Sequence, residues 1–353
     1  MKLGLVFFTV SAFVACEPVK MSKTLGEDKV ITTYPNEDWQ QAEEGTLKFN
    51  EELRSELYNE LEKRPDIHTM LVIKDGKIID DYGMGMNNNE TIRSLNSMTK
   101  SVISILIGMA IQDGYIESVH QSVEDFIPEI KDYEQYEKIK KITIRDLLTM
   151  RSGIEWGPKN ETARAGIGDT INYVFTRPII RDPDVTFTYN SGGSDILSII
   201  IERAVGKDTA SYAEERLFQP LTIDNYYWEK HANTYYIGGR GLQLTPTNLA
   251  RIGYLMLNDG VWENERLLPQ GWVKESTTSY SSGGYLRTKG YGYQWWIGES
   301  NGEEYYFAAG GFGQTLFVHP EKDLVVVFTG RILDHNSTVY YTLLRNYIFK
   351  YLE

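Results

Sequence analysis

From Val102 to Ile111 this chain of 353 residues reads as apolar on every side. A helix of that composition has no face to turn to water, so it must be enclosed and the rest of the fold built around it. The segment that enters it, Ser94-Leu-Asn-Ser-Met-Thr-Lys, puts Lys100 at the start of the enclosed stretch. Lysine is almost never fully buried without a partner. Ser97 stands three residues earlier, on the same face at about one helical turn. A serine hydroxyl beside a desolvated amine is a nucleophile beside its base. Apolar surroundings disfavour the ammonium, and a neutral lysine accepts a serine proton near neutrality. A helix N-terminus there also offers free N–H groups to a developing oxyanion. At this point the plainer reading stays open: Ser94, Asn96 and Ser97 are all good helix caps, and a first-turn lysine can reach water.

Composition bounds the rest. At 41% hydrophobic and 12% aromatic, a chain of this length encloses a large core, in one domain or two intimate subdomains. The net charge of −13, with no Lys/Arg cluster, argues against nucleic acid and anionic membrane surfaces as partners. Of the five histidines, His68, His120, His231, His319 and His335, none has metal-ligand spacing to another, and there is one cysteine. No metal site, cofactor or intrachain disulfide is expected. There is also no Gly-x-Ser-x-Gly elbow, Walker loop or Gly-x-Gly-x-x-Gly after a strand.

Lys2 precedes an apolar stretch, Leu3 to Val14, too short to span a bilayer and the right length for the core of a signal peptide. Phe13-Val-Ala-Cys16 follows, and it resembles the bacterial lipoprotein signal, with Phe13 where an aliphatic is usual. That resemblance implies a signal peptide over 1–15, lipid on Cys16, and an exported protein held to the cell membrane or outer membrane by the lipid alone. An ordinary secretory peptide cut nearby, leaving a free thiol, is the alternative. Residues 16–46 are polar and mixed in charge, as suits a tether.

Apolar residues Phe49, Leu53, Leu57 and Leu61 at helical spacing predict a leading helix from Phe49 to Lys63, closed by Pro65. Asp75-Gly76 between two β-type runs, 68–74 and 77–82, predicts a two-residue hairpin. The middle reads as helical, with helices at Thr99–Asp113, Thr143–Met150, Ser194–Val205, Ala210–Leu217 and Thr245–Leu257. Strands return at 292–298, 305–309, 315–319 and 324–329, with a turn at 321–323, before a last helix over 337–352. β-structure at both ends with helices between predicts an α+β fold. An antiparallel sheet is flanked by N- and C-terminal helices, and a mostly helical lobe is inserted between the first and later strands. We expect a sheet lobe of about 47–93 and 285–350, a helical lobe of about 94–284, and a cleft between them where Ser97 begins its helix.

The order of motifs is similar to that of the serine β-lactamase/penicillin-binding superfamily, and within it the class C β-lactamase-like group of D-alanyl-D-alanine carboxypeptidases, esterases and aminohydrolases. The likeness covers roughly residues 47 to 350. Ser97-Met-Thr-Lys100 matches its Ser-x-x-Lys, Tyr189-Asn190-Ser191 its Tyr-x-Asn, and Ala308-Ala-Gly-Gly-Phe-Gly-Gln314 its Lys-Thr-Gly or His-x-Gly strand. Supporting segments are Leu147–Trp156, Gly238–Pro246 and Tyr291–Trp296. The resemblance implies a fold of the β-lactamase/transpeptidase type and an acylated Ser97. It also implies Lys100 and Tyr189 as base and proton relay, and an oxyanion hole from the N–H groups of Ser97 and Gly311. Which of Lys100 and Tyr189 takes the serine proton stays open.

Two departures narrow the substrate. Ser191 stands where the second motif usually carries asparagine, and, were the segment extended, Ser191 rather than Asn190 would point inward. The third motif has alanine, Ala308 and Ala309, where a cation would hold a substrate carboxylate. Neutral esters and amides are therefore expected ahead of efficient β-lactam hydrolysis or carboxypeptidase action. Substrate-binding candidates are Ser191, Ala309, Gly310, Trp156 and Arg240, the last as a replacement cation or simply a solvated residue. Trp295 and Trp296 either line the pocket or sit in the core. The expected partner is a small ester, amide or peptide substrate. A binding protein that keeps the pocket without turnover is the rival reading, and a purely structural lipoprotein leaves the lysine unexplained.

Overall fold

Asp75 and Gly76 both adopt left-handed backbone, with φ of 52° and 76°. That is what a two-residue hairpin turn requires. They join β1 (Ile67–Lys74) to β2 (Lys77–Gly83), the first two strands of a seven-stranded sheet. The computed structural model describes residues 34–35, 38–43, 50–232, 234–284, 288–333 and 338–352. The expected signal peptide, Cys16, most of the tether and His335 lie outside the described residues.

Among those residues the other strands are β3 (Arg93–Ser94), β4 (Tyr226–Trp228), β5 (Leu242–Leu244), β6 (Val261–Trp262), β7 (Glu265–Arg266), β8 (Gly290–Tyr291), β9 (Trp296–Ser300), β10 (Glu303–Gly310), β11 (Gln314–His319) and β12 (Leu324–Gly330). The helices are α1 (Glu51–Glu62), α2 (Thr99–Gln112), α3 (Tyr136–Ile139), α4 (Ile144–Leu148), α5 (Pro158–Ala163), α6 (Thr170–Phe175), α7 (Ser191–Val205), α8 (Thr209–Ala213), α9 (Pro246–Leu257), α10 (Trp272–Ser276), α11 (Thr338–Leu343) and α12 (Phe349–Tyr351). The main sheet is antiparallel in the order β2-β1-β12-β11-β10-β9-β8, so strands from both ends of the chain meet at the β1–β12 pair. Every helix from α2 to α10 is inserted between β2 and β8. The fold is α+β, as the sequence predicts.

Strand alternation sorts the core into two layers. Leu71, Ile73, Leu316, Val318, Val325 and Val327 face the inserted helices, and α2 is buried in that layer from Thr99 to Ala110. Met70, Val72, Phe317, Val326 and Phe328 face the opposite way, toward α1, α11 and α12. The terminal helices are tied to the sheet by Asp80, whose carboxylate accepts from Arg54 Nε at 2.9 Å, Tyr58 Oη at 2.8 Å and Tyr351 Oη at 2.6 Å.

Several boundaries differ from expectation. Of the strand expected over 292–298 only the part from Trp296 is strand, as the start of β9; β8 ends before it at Tyr291, and Gln294 between them sits left-handed (φ 61°). Its backbone N–H bonds across to Leu148 O. The expected 210–217 and 337–352 helices both widen into π turns, at Glu214–Phe218 and Leu344–Ile348. The helix expected from Ser194 begins three residues earlier at Ser191. The two- and three-residue strands β3 to β7 were not anticipated; β3, β5 and β4 form a small sheet of their own.

Candidate active site

Ser97 lies in a short 3-10 turn, Asn96–Met98, that feeds straight into α2. The turn is fixed from both sides. Leu95 N–H donates to Leu242 O of β5 at 2.9 Å, and Asn96 Nδ2 donates to Gly311 O just beyond β10 at 2.8 Å. Asn96 itself is left-handed, with φ 49°, a conformation asparagine tolerates better than most residues. No side chain caps the turn or α2, so Ser94, Asn96 and Ser97 are not the helix caps that the plainer reading offers.

Lys100 is 1% exposed and does not reach water. Its Nζ lies 3.2 Å from Ser97 Oγ, donates to Gly239 O at 2.6 Å, and stands 4.9 Å from the centroid of the Tyr189 ring. Burial pushes its pKa from the ordinary 10.5 to about 7. The neighbouring Arg164 adds to the fall and Arg240 contributes less, while Glu161 and Asp195 oppose it. The amine is therefore substantially neutral near pH 7 and within hydrogen-bond range of a half-buried hydroxyl.

Tyr189 comes from the extended segment before α7, where Thr188 N–H donates to Met150 O at 2.8 Å. Its ring stacks on Trp296 at 5.9 Å and meets Tyr291 edge-on at 6.5 Å. Asn190 is the N-cap of α7, accepting from Gly193 N–H at 3.0 Å. The segment is thus already turning into helix at this point, so strand alternation does not choose between Asn190 and Ser191. Both are buried, Ser191 in the first helical turn against the Gly238-Gly239 loop.

Gly310 ends β10 so close to the turn that carries Ser97 that a Cβ there would lie 2.2 Å from Leu95 O. Gly311 follows in an exposed turn, with Asn96 bonded to its carbonyl, so the sequence-predicted Ser97 and Gly311 are brought together. Ala309 is half-buried on the same side of the sheet as Tyr189, whereas Ala308 is buried on the other. Trp156 is 8% exposed and packed against α7, its Nε1 donating to Glu161 Oε1 at 2.7 Å, which makes it a support more than a pocket wall. Trp295 is core and Trp296 backs Tyr189. Arg240 is about one-third exposed and faces Glu229, with 3.6 Å between charged atoms.

Behind Lys100 lies a group of side chains that the sequence reading missed. Asp195, on α7 one turn after Ser191, accepts from Gly239 N–H at 2.8 Å through Oδ1. Its Oδ2 meets Arg164 Nη1 at 2.8 Å and His231 Nε2 at 3.1 Å. Burial alone would raise the Asp195 carboxyl, but Arg164 and His231 hold it below its ordinary value. Arg164 Nε donates to Glu161 Oε2 at 2.9 Å, and Glu161 Oε1 accepts the Ser191 N–H at 3.0 Å. Burial raises the Glu161 carboxyl too, but the charges of Lys100 and Arg164 outweigh it and the net shift is downward. One signal was available in the sequence: Asp195 is a charge inside the apolar run Asp195-Ile-Leu-Ser-Ile-Ile-Ile, the same anomaly as Lys100. Among the described residues no cluster of potential metal ligands is present.

The beta-lactamase family model matches residues 60–331. The 6-aminohexanoate-dimer hydrolase of Paenarthrobacter ureafaciens is 25% identical over 292 residues, covering 73% of this chain and 70% of that protein. Among solved structures, "Putative 6-aminohexanoate-dimer hydrolase from Bacillus anthracis" aligns with a TM-score of 0.73 at 18% identity, over 90% of this chain and 89% of that one. EstCE1, a hydrolase with promiscuous acyltransferase activity, aligns with a TM-score of 0.70 at 15% identity, over 85% of this chain and 98% of its own. On the extent of the family match and the full-length likeness of fold, this chain belongs to the beta-lactamase family of hydrolases.

Proposed function

We propose that this protein is a serine hydrolase that cleaves ester or amide bonds through an acyl-enzyme on Ser97. The observation that carries the reading is a fully buried amine, shifted to about 7, placed 3.2 Å from one hydroxyl. In the first step Ser97 Oγ attacks the substrate carbonyl carbon as its proton passes to neutral Lys100, directly or through Tyr189. The oxyanion is held by the N–H groups of Ser97 and Gly311. Collapse of the tetrahedral species expels the alcohol or amine, which takes the proton. A water activated by the same pair then attacks the acyl-enzyme, restoring Ser97 and releasing the acid.

The substrate class follows from what faces the site. Ala309 offers no charge to a carboxylate, and Arg240 already faces Glu229. Neutral esters and amides fit better than β-lactams or peptide C-termini. We further propose that the chain is exported and lipidated on Cys16; a Cys16→Ser variant should then lose label from a lipid precursor and leave the membrane fraction.

The deciding experiment treats the parent and Ser97→Ala with a fluorophosphonate and with short esters, linear amides and a cephalosporin, recording intact mass and turnover. One adduct on the parent only is expected, with ester or amide turnover lowered about 10,000-fold in Ser97→Ala. Labelling without turnover would instead identify a binding protein. Cephalosporin turnover exceeding that of esters would identify a true β-lactamase.

A further inference from the structure

The Glu161–Arg164–Asp195 group, with Arg164 and Asp195 buried and Glu161 one-third exposed, is joined by ion pairs and has no role in the chemistry written above. We propose that Asp195 and Arg164 are positioning residues for Lys100: Asp195 fixes the loop carbonyl that grips the amine, and Arg164 is the buried cation that opposes a second positive charge there. The assignment rests on the serine-hydrolase reading of Ser97 and Lys100.

Geometry carries it. Lys100 Nζ has a 2.6 Å contact to Gly239 O, shorter than its contact to Ser97, so the position of that carbonyl sets where the amine points. Gly239 is held in turn on its other side, where Asp195 Oδ1 accepts the Gly239 N–H of the preceding peptide at 2.8 Å. The loop lies tight on α7: a Cβ on Gly238 would fall 2.0 Å from Ser194 O, and one on Gly239 would fall 2.9 Å from Ser191 Cβ and 3.2 Å from Arg164 Nη2. The Arg164 guanidinium therefore abuts the residue whose carbonyl grips Lys100. Side-chain exposures of 4% for Arg164 and 2% for Asp195 leave little water to screen them.

Charge arithmetic follows from that placement. The charged groups acting on Lys100 are Arg164 and Glu161 from the α5 region, Asp195 from α7 and Arg240 from the loop before β5, with the Tyr189 ring alongside. A buried Arg–Asp pair brought this close to a base is expensive to desolvate and gives little net stability. Its effect on the base is directional. Arg164 disfavours the ammonium, while Glu161 and Asp195 favour it.

The test is the pH dependence of kcat/KM for an ester, and of fluorophosphonate labelling, in the full-length parent and in Arg164→Gln, Arg164→Lys, Glu161→Gln and Asp195→Asn, with circular dichroism to check folding. The acid limb reports the fraction of neutral Lys100. Arg164→Gln should move its midpoint up by about one pH unit, and Arg164→Lys should restore it. Glu161→Gln and Asp195→Asn should move it down. Asp195→Asn should also lower the plateau about 100-fold, because the Gly239 carbonyl is released. Glu161 is one-third exposed, so its variant keeps the test alive if a core variant does not fold. Folded variants that keep the parent's midpoint, or that all move it the same way, overturn the assignment alone. A parent that takes no label on Ser97 overturns the hydrolase reading and this assignment with it.

Discussion

Lys100 is the residue on which the molecule spends stability. Its pKa falls from 10.5 to about 7 on folding, so between those values the unfolded chain holds a proton that the folded chain does not. Stability contributed by this group therefore rises with pH through that window, and the full cost of the buried ammonium is present below about pH 7. Lys100→Met is predicted to abolish turnover yet melt higher than the parent near pH 7, with the advantage shrinking as the pH approaches about 10. Thermal melts of both proteins across that range check it. Tyr189 and Asn96 show what a residue-level reading leaves out. Tyr189 is one of 24 tyrosines, singled out in the sequence only by its likeness to a Tyr-x-Asn motif, and the structure sets its ring centroid 4.9 Å from Lys100 Nζ. Asn96 looks like a cap in the sequence, but its side chain goes to Gly311, 215 residues away in sequence.

At the scale of elements, the site is a junction of one helix start, one strand end and one loop. The strand end is the most exacting. Gly310→Ala would drive a Cβ into Leu95 O at 2.2 Å, so β10 or the turn that carries Ser97 must move. We predict a loss of about 100-fold in kcat/KM with the circular dichroism spectrum retained. Elements with strong local signals were legible: the Asp75-Gly76 hairpin, the apolar α2, and the valine-rich β12 all lie where the sequence puts them. The start of α7 was not, because Ser191-Gly-Gly reads locally as loop. Only the Asn190 cap and packing of Trp156 over Gly192 make it helix. Asn190→Ala should lower stability by about 1 kcal/mol, measurable by urea titration.

For the whole molecule, the two core layers separate stability from the site. The Asp80 clamp holds α1 and α12 to β2 at one edge of the sheet, while Tyr189 leans on Trp296 of β9 near the other. Five strand spacings lie between them, about 24 Å. Asp80→Ala strands three donors and should cost about 3 kcal/mol in urea unfolding, with kcat of the folded fraction unchanged. A parallel fall in kcat would mean that the terminal helices shape the cleft.

The amino-acid order by itself determined the class of fold and the pairing of the Ser97 hydroxyl with its neighbouring amine. Helical and strand periodicities are local, and a lysine entering an apolar helix is anomalous wherever that helix ends up. Tertiary structure decided the rest. The carbonyl that accepts from Lys100 lies 139 residues downstream, and the carboxylate that accepts the N–H of the same glycine comes from another helix. Contacts between segments so far apart leave no periodic trace in the chain, because what selects them is the exclusion of water when the lobes close over one another.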